Sequence, residues 1–378
     1  MTMKSLVKSA VFSVVGLSVV VAAGCSKARW EDDSVSPDSG QVEIALGAEF
    51  SVSGNIASSA EPASRAVIDK GYSKTLYVSF ARLDQIEASG AYPAYSTVDS
   101  AFLARWAGAL TDNDSQATTV RFCDPKFYLS RSSNNSTKFV GWYPAYPTQT
   151  ALGAGGSVEI PIDGATDIML SEELTGSKAV RFGTYVSAGH ANNRIFHFGH
   201  KLTQLHFYAY AVDAYASSVW GKIKSIKLKS QRPTCKIVLP AAVSFTGTPV
   251  DLELTKKKVS DDSAISYTSG LAFPFDTTVT PGVANEQTLR EASAVECGYS
   301  LVAPLAGSAS LSLLIVTEKT AGSATETIET PVTVTVPAAG FEAGKAYNIF
   351  LRFSAVTIQP EATISKWVVA PDTINIEM

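Results

Sequence analysis

Charge is scarce in this chain. Asp, Glu, Lys and Arg make up 17% of its 378 residues and nearly cancel, leaving a formal net charge of −4. A nucleic-acid-binding surface needs a basic surplus, so nucleic acid is not an expected partner. Cysteine is scarcer still. There are four, without a C-x-x-C pair for zinc or redox work and without the even, close spacing of a disulfide framework. Apart from Cys25, the widely separated Cys123, Cys235 and Cys297 read as small buried side chains. No G-x-S-x-G, Walker A or H-E-x-x-H motif occurs, and the glycine-rich LGAGGSV at 152–158 lacks a Lys-Ser/Thr pair, so it reads as a hairpin turn. The carboxylate runs Glu31-Asp32-Asp33, Glu172-Glu173 and Asp261-Asp262 read as solvated loops; a glycosidase would need two carboxylates facing each other across a cleft. His197, His200 and His206 cluster in sequence, but on a strand the first two face opposite ways, and the last two lie about 20 Å apart. With no Asp or Glu between Asn192 and Val212, they read as structural or surface histidines, not metal ligands. No enzyme, metal or cofactor is expected.

What is present is β-texture. Apolar residues form 46% of the chain, in short runs separated by Ser, Thr, Gly and Pro. The first 24 residues are an address: Lys4 and Lys8 precede an uncharged stretch, Ala10 to Ala23, too short to span a membrane. It ends in Ala22-Ala23-Gly24-Cys25, which resembles the lipobox of bacterial lipoproteins, with Ala22 where Leu is commonest. The resemblance implies cleavage before Cys25 and lipid on that residue, which would anchor the chain firmly to a membrane. Residues 25–40, polar and acidic, read as a flexible tether.

Two β-rich domains follow, 41–193 and 194–378. In the first, Leu76, Val78 and Phe80 alternate as a strand, and KFVGWYPAY at 138–146 runs from a strand into an aromatic, proline-rich turn. SVEIPI at 157–162 alternates again, and the segment 163–180 reads as an acidic loop. TVDSAFLARWAGA at 97–109 predicts a short helix with Thr97 or Asp99 as N-cap. The second domain opens with RIFHFGHKLTQLHFYAYAV, the strongest strand signal in the chain. KIKSIKLKS at 222–230 alternates Ile and Leu with Lys, giving one buried face and one basic face that guards an edge. Further strands follow at short spacing, in the manner of β-sandwiches. Trp142, Tyr143 and Tyr146, like Tyr208, Tyr210 and Tyr215, read as core or turn packing rather than sugar-stacking surfaces.

The stretch 41–66 organises the reading. Val42, Ile44 and Leu46 occupy every second position and share one face of a strand, a pattern that Phe50 and Val52 continue. The polar run NIASSAEPAS then forms an exposed loop ending at a single basic residue, Arg65, before Ala66 and a new apolar segment. A strand held through a cleavable loop can be removed. Its loss would leave a hydrophobic groove that demands another strand.

The lipobox at Cys25, the SRAV loop, VGWYP at 140–144, HKLTQLHF at 200–207, AGKAYNIFLRF at 343–353 and ISKW at 364–367 together resemble the fimbrillins of Bacteroidota, the lipoprotein-derived subunits of type V pili. That resemblance covers nearly the whole chain. It implies an all-β fold of two transthyretin-like Greek-key β-sandwich domains, export as an outer-membrane lipoprotein, and trimming by an Arg-specific protease at Arg65–Ala66. It further implies loss of the strand holding Val42, Ile44 and Leu46, and polymerisation with other pilus subunits into an extracellular fimbrium. The implied donor is WVVAPDTINIEM at the C-terminal end, with Val368, Val369, Ile374 and Ile376 as its apolar side chains, although Pro371 interrupts it and cannot donate to a ladder. The alternative is a surface lipoprotein that binds a glycan or host protein, as a monomer or at the tip of a pilus.

Overall fold

A computed structural model describes residues 41–50, 75–106, 118–129, 134–145, 152–183, 194–258, 263–275, 278–279, 283, 286–321 and 323–365. The fold is all-β with two seven-residue helices among the described residues.

The first nine strands are β1 (Leu46–Phe50), β2 (Leu76–Asp84), β3 (Ala101–Trp106), β4 (Thr118–Phe122), β5 (Ser136–Tyr143), β6 (Ser157–Pro161), β7 (Met169–Leu170), β8 (Leu174–Ser177) and β9 (Phe196–His200). Where the sequence predicts a sandwich, seven of these strands close into a barrel, in the order β2-β3-β4-β1-β9-β7-β5. Closure follows from β2, which pairs along one edge with β3 and along the other with β5. A closed ring leaves none of these strands as an open edge.

The barrel interior is built on period-two alternation. Leu76, Val78 and Phe80 point inward with Ala104, Trp106, Val120, Phe139, Phe196 and Phe198. Phe80 is the hub: its ring meets Phe196, Phe122, Phe198 and Phe139 edge-on at centroid distances of 5.1, 5.8, 6.0 and 6.3 Å. Each such contact contributes about 0.5–1.5 kcal/mol beyond burial. Gly141 makes room for this hub, since a Cβ there would lie 2.6 Å from the Phe80 ring.

The predicted helix at 97–109 is not formed. Residues 101–106 are β3, paired with β2 on one side and β4 on the other. Phe102, Leu103 and Trp106 suit a helix by spacing, but only the strand puts both Ala104 and Trp106 into the barrel while filling the gap between two ladders. Tertiary pairing overrides local propensity. The predicted N-cap, Asp99, accepts instead from the backbone N–H of Ser96 at 2.6 Å in a turn. The acidic segment 163–180, read as loop, contributes the short strands β7 and β8.

The rest of the chain forms β10 (Thr203–Ala211), α1 (Ala214–Trp220), β11 (Lys222–Gln231), β12 (Thr234–Val238), β13 (Ala242–Thr246), β14 (Val250–Glu253), β15 (Leu271–Ala272), α2 (Glu286–Ala292), β16 (Val295–Val302), β17 (Ser310–Ala321), β18 (Ala324–Thr335), β19 (Ala346–Phe353) and β20 (Ile358–Ser365). The sheet β16-β10-β19-β20 faces the sheet β14-β11-β17-β18. Leu205, Phe207, Ile349 and Leu351 from the first pack with Ile223, Ile226, Leu313 and Ile315 from the second in one core. A third cluster joins the barrel's outer face to these sheets: Leu83, Val140 and Trp142 pack with Ile160, Ile237 and Leu301. There β6 pairs along β12, so residues 157–161 and 234–238 lie in one small sheet, β13-β12-β6.

The basic face of β11 does not guard an edge, because β11 lies between β17 on one side and β14 and β15 on the other. Carboxylates on those neighbours meet its lysines: Lys224 with Glu318 at 3.4 Å, Lys227 with Glu253 at 3.5 Å, and Lys229 with Asp251. Pro331 and Pro360 sit on the outermost strands β18 and β20, where a missing N–H is tolerated.

Candidate functional site

Residues 41–50 are an internal part of the barrel, not a fringe. The segment enters beside residues 126–128: the Ile44 N–H donates to the Lys126 carbonyl at 2.7 Å, and the Tyr128 N–H donates to the Val42 carbonyl at 3.0 Å. It continues as β1, antiparallel to β4 (Leu46 opposite Val120, Ala48 opposite Thr118) and parallel to β9 (Ala48 beside Phe196, Glu49 beside His197). Both its edges are therefore paired. Ile44 is 1% exposed and Leu46 and Ala48 are 0% exposed, all within the barrel core, with half-buried Val42 packed against it. The sequence expectation for Val42, Ile44 and Leu46 as one inward face thus agrees with the packing; Val52 lies outside the described residues.

At the outer end of β1 stands a histidine held between two carboxylates. Nε2 of His197 lies 2.7 Å from Oε1 of Glu49 on β1, and its Nδ1 lies 2.9 Å from Oε1 of Glu172 in the segment between β7 and β8. Glu172 also accepts from the backbone N–H of His197 at 3.0 and 3.2 Å, standing in for a strand partner beyond the end of β7. The two carboxylates meet opposite ring nitrogens. They do not converge on a common point, and among the described residues no group of three His, Cys, Asp or Glu is placed to hold a metal ion. Sequence alone does not bring these residues together, because Glu49 and Glu172 are far from His197 along the chain. The signal available was the single acidic residue at the end of the apolar alternation.

His200 and His206 are held by partners inside the fold. His200 Nδ1 is 2.7 Å from the buried Asp167, whose other oxygen accepts the Ile168 N–H. His206 lies on β10, in a different sheet, with Nδ1 3.2 Å from Asn348 Oδ1. Burial pushes its pKa down to about 4, opposed only by that hydrogen bond. Of the cysteines, Cys235 and Cys297 are free and buried as expected. Cys123 departs from that reading: it is half-buried and disulfide-bonded.

Trp142 is 1% exposed and Tyr210 2%, both in packed interiors, while Tyr208 stacks on Phe350 at 5.2 Å; Tyr215, 68% exposed, departs from the packing expected of it. A separate cleft of about 410 Å³ is bordered by Lys229, Ser230, Arg232, Phe245, Pro304 and Ser312. Its cations are engaged, Lys229 with Asp251 and Arg232 with the Gly247 carbonyl. Cys25, Arg65, Ala66, Tyr146, Val368, Val369, Ile374 and Ile376 lie outside the described residues.

No family profile matches the sequence, and no curated protein does. Among solved structures, the chain is similar to a Bacteroides uniformis protein described as a candidate cell adhesion protein, with 14% identity, 88% of this chain and 100% of that one covered, and a TM-score of 0.49. A fimbrial protein from Bacteroides vulgatus matches at 13% identity over 77% of this chain and 93% of its own, with a TM-score of 0.39. The tip fimbrial protein Mfa3 from Porphyromonas gingivalis matches at 10% identity over 86% and 100%, with a TM-score of 0.37.

Proposed function

We propose that this chain is a structural subunit of an adhesive surface pilus, assembled by strand exchange. One observation carries the reading: residues 41–50 fill a barrel position between β4 and β9, with Ile44, Leu46 and Ala48 in the core. The polar stretch that follows holds a single Arg. Removing this strand would unpair an edge of each neighbour and expose their aromatic interior, and an extended strand from another subunit is the natural replacement.

In this scheme the chain reaches the outer membrane as a lipoprotein anchored at Cys25. An Arg-specific protease cuts Arg65–Ala66, and β1 leaves with its tether. Other pilus subunits are then the partners, with the segment bearing Val368, Val369, Ile374 and Ile376 as the candidate donor to a neighbour. Two fully buried branched side chains contribute about 1.5–3 kcal/mol each on burial, before the hydrogen bonds of two ladders. Keeping the chain's own strand in place during export protects the groove from premature pairing.

The test is the N-terminus of protein recovered from the cell surface, read by mass spectrometry. A start at Ala66 is the expected outcome. Material that begins only at Cys25 would overturn the reading. Polymers of normal amount from an Arg65→Ala chain would equally refute it. The second reading, a glycan- or host-protein-binding lipoprotein, has the 410 Å³ cleft beside Phe245 and Arg232 in its favour. It predicts monomers in detergent where the first predicts ladders.

A further inference from the structure

We propose that His197 biases the choice of strand that occupies this groove by favouring a carboxylate in the place of Glu49, and that the preferred occupant comes from a different protein, not from the C-terminal segment of a second copy. The inference rests on the strand-exchange reading and narrows its partner.

The geometry defines what the groove accepts. Inward positions 44, 46 and 48 are at most 1% exposed, so they take apolar side chains, and the last has room filled by no more than the methyl group of Ala48. Position 47 is a buried glycine. Position 49 turns outward, 2.7 Å from His197 Nε2. Glu172 fixes the ring from behind through Nδ1 and the backbone N–H, so the imidazole edge points at the occupant whether or not β1 is there. An occupant that slips by two residues keeps its alternation but loses this carboxylate. His197 therefore reads register as well as identity. The preferred strand carries alternating apolar residues, small ones at the third inward position and just before it, and an acid directly after.

The chain's own C-terminal segment does not meet that description in any register that keeps its alternation. With Glu377 beside His197, Ile374 and Ile376 replace Leu46 and Ala48, and Asp372 falls where Ile44 is 1% exposed. Displaced by two residues, Ile374 and Ile376 replace Ile44 and Leu46, but Glu377 then takes the place of buried Gly47 and Met378 that of Ala48. Displaced the other way, Asp372 replaces Leu46. With Val368 and Ala370 in the places of Leu46 and Ala48, Lys366 falls at buried position 44 and Pro371 beside His197, so every register buries a charge or overfills a closed site.

The experiment uses the full chain with a site-specific protease sequence substituted within residues 55–64. After cleavage, sub-denaturing urea hastens release, and fluorescein-labelled peptides compete for the groove. A peptide of residues 39–52 should enter. Its Glu49→Gln version should bind about two- to fivefold more weakly, the range for one half-exposed ion pair. Chains carrying His197→Gln should bind both peptides equally, and the preference of the natural chain should shrink at high salt. A peptide of residues 366–378 should not compete at the concentration where the 39–52 peptide saturates. Equal binding of the natural and Glu49→Gln peptides to the unsubstituted chain overturns the selection by His197. Effective competition by the 366–378 peptide overturns the foreign partner. Failure of every peptide to exchange overturns the strand-exchange reading itself, which separates the two levels.

Discussion

Truncating Leu46 is the sharpest test of how β1 is held. The side chain is 0% exposed, opposite Val120 of β4, inside a closed ring whose neighbours cannot collapse inward without breaking their own pairing. Leu→Ala in such sites costs about 2–5 kcal/mol, the larger values where the cavity persists. For Leu46→Ala the expected loss is about 3 kcal/mol. Val42→Ala, at the half-buried entry of the same strand, should cost about 1 kcal/mol or less by the smaller area it hides. Equilibrium urea unfolding reads both, with fluorescence from Trp106 in the barrel core and Trp142 on its outer face as probes. The midpoint should fall with little change in slope, the sign of altered stability rather than altered compactness. In the cleaved chain, the same loss of about 3 kcal/mol should speed release of the strand by about 100-fold. A loss near that of Val42→Ala, or no effect on release, would refute the claim that β1 is an interior strand held by its apolar face.

Other outcomes follow from the same geometry. Because folding lowers the His206 pKa from 6.5 to about 4, the unfolded chain binds a proton that the folded chain refuses; stability should be fully present above pH 6.5 and fall by about 3 kcal/mol as the pH approaches 4. His206→Gln should remove that part of the slope in urea titrations at successive pH values. Gly141→Ala would press a methyl group against Phe80 and Phe198, so a loss of about 1–3 kcal/mol is expected in the same assay. The thiol of Cys235, pushed up to about 12 by burial, and the fully buried Cys297 should resist alkylation at about pH 8 until the chain unfolds; modification of the native protein would contradict their packing. Lys227→Ala breaks an exposed ion pair with Glu253 and should change stability by no more than about 0.5 kcal/mol.

Period-two patterning made much of the fold legible. The strands around Val78, Ile226, Leu313 and Ile349 could be found because one face of each is buried and the other wet. What patterning cannot show is which strand lies beside which. Barrel closure depends on β2 having two partners, a relation between residues about 60 positions apart in sequence on one side and about 25 on the other. The helix expected at 97–109 failed for the same reason, since Ala, Leu and Arg favour helix until a ladder on each side offers more. The long signal at 194–212 was read as one stretch, but it breaks at Lys201-Leu202 into β9 of the barrel and β10 of the next sheet. Neither α1 nor α2 was anticipated; Asp213, whose side chain caps the Ala216 N–H at 2.6 Å, and Gly221 after Trp220 were the available start and stop signals. At the candidate site the inward face of β1 was readable, whereas the Glu49–His197–Glu172 contact exists only once three distant segments meet.

The double pairing of β1 also has a mechanical side. A strand on the rim of a sheet can be unzipped, one hydrogen bond at a time, by a sideways pull. A strand with a ladder on each edge, residues 46–48 on one side and 48–50 on the other, cannot be peeled from a single rim. Tension applied along its length loads both ladders in shear, so the bonds of the two ladders share the force and must yield nearly together. In a fibre whose joints are such strands, the direction of stretching is the direction in which each joint is strongest.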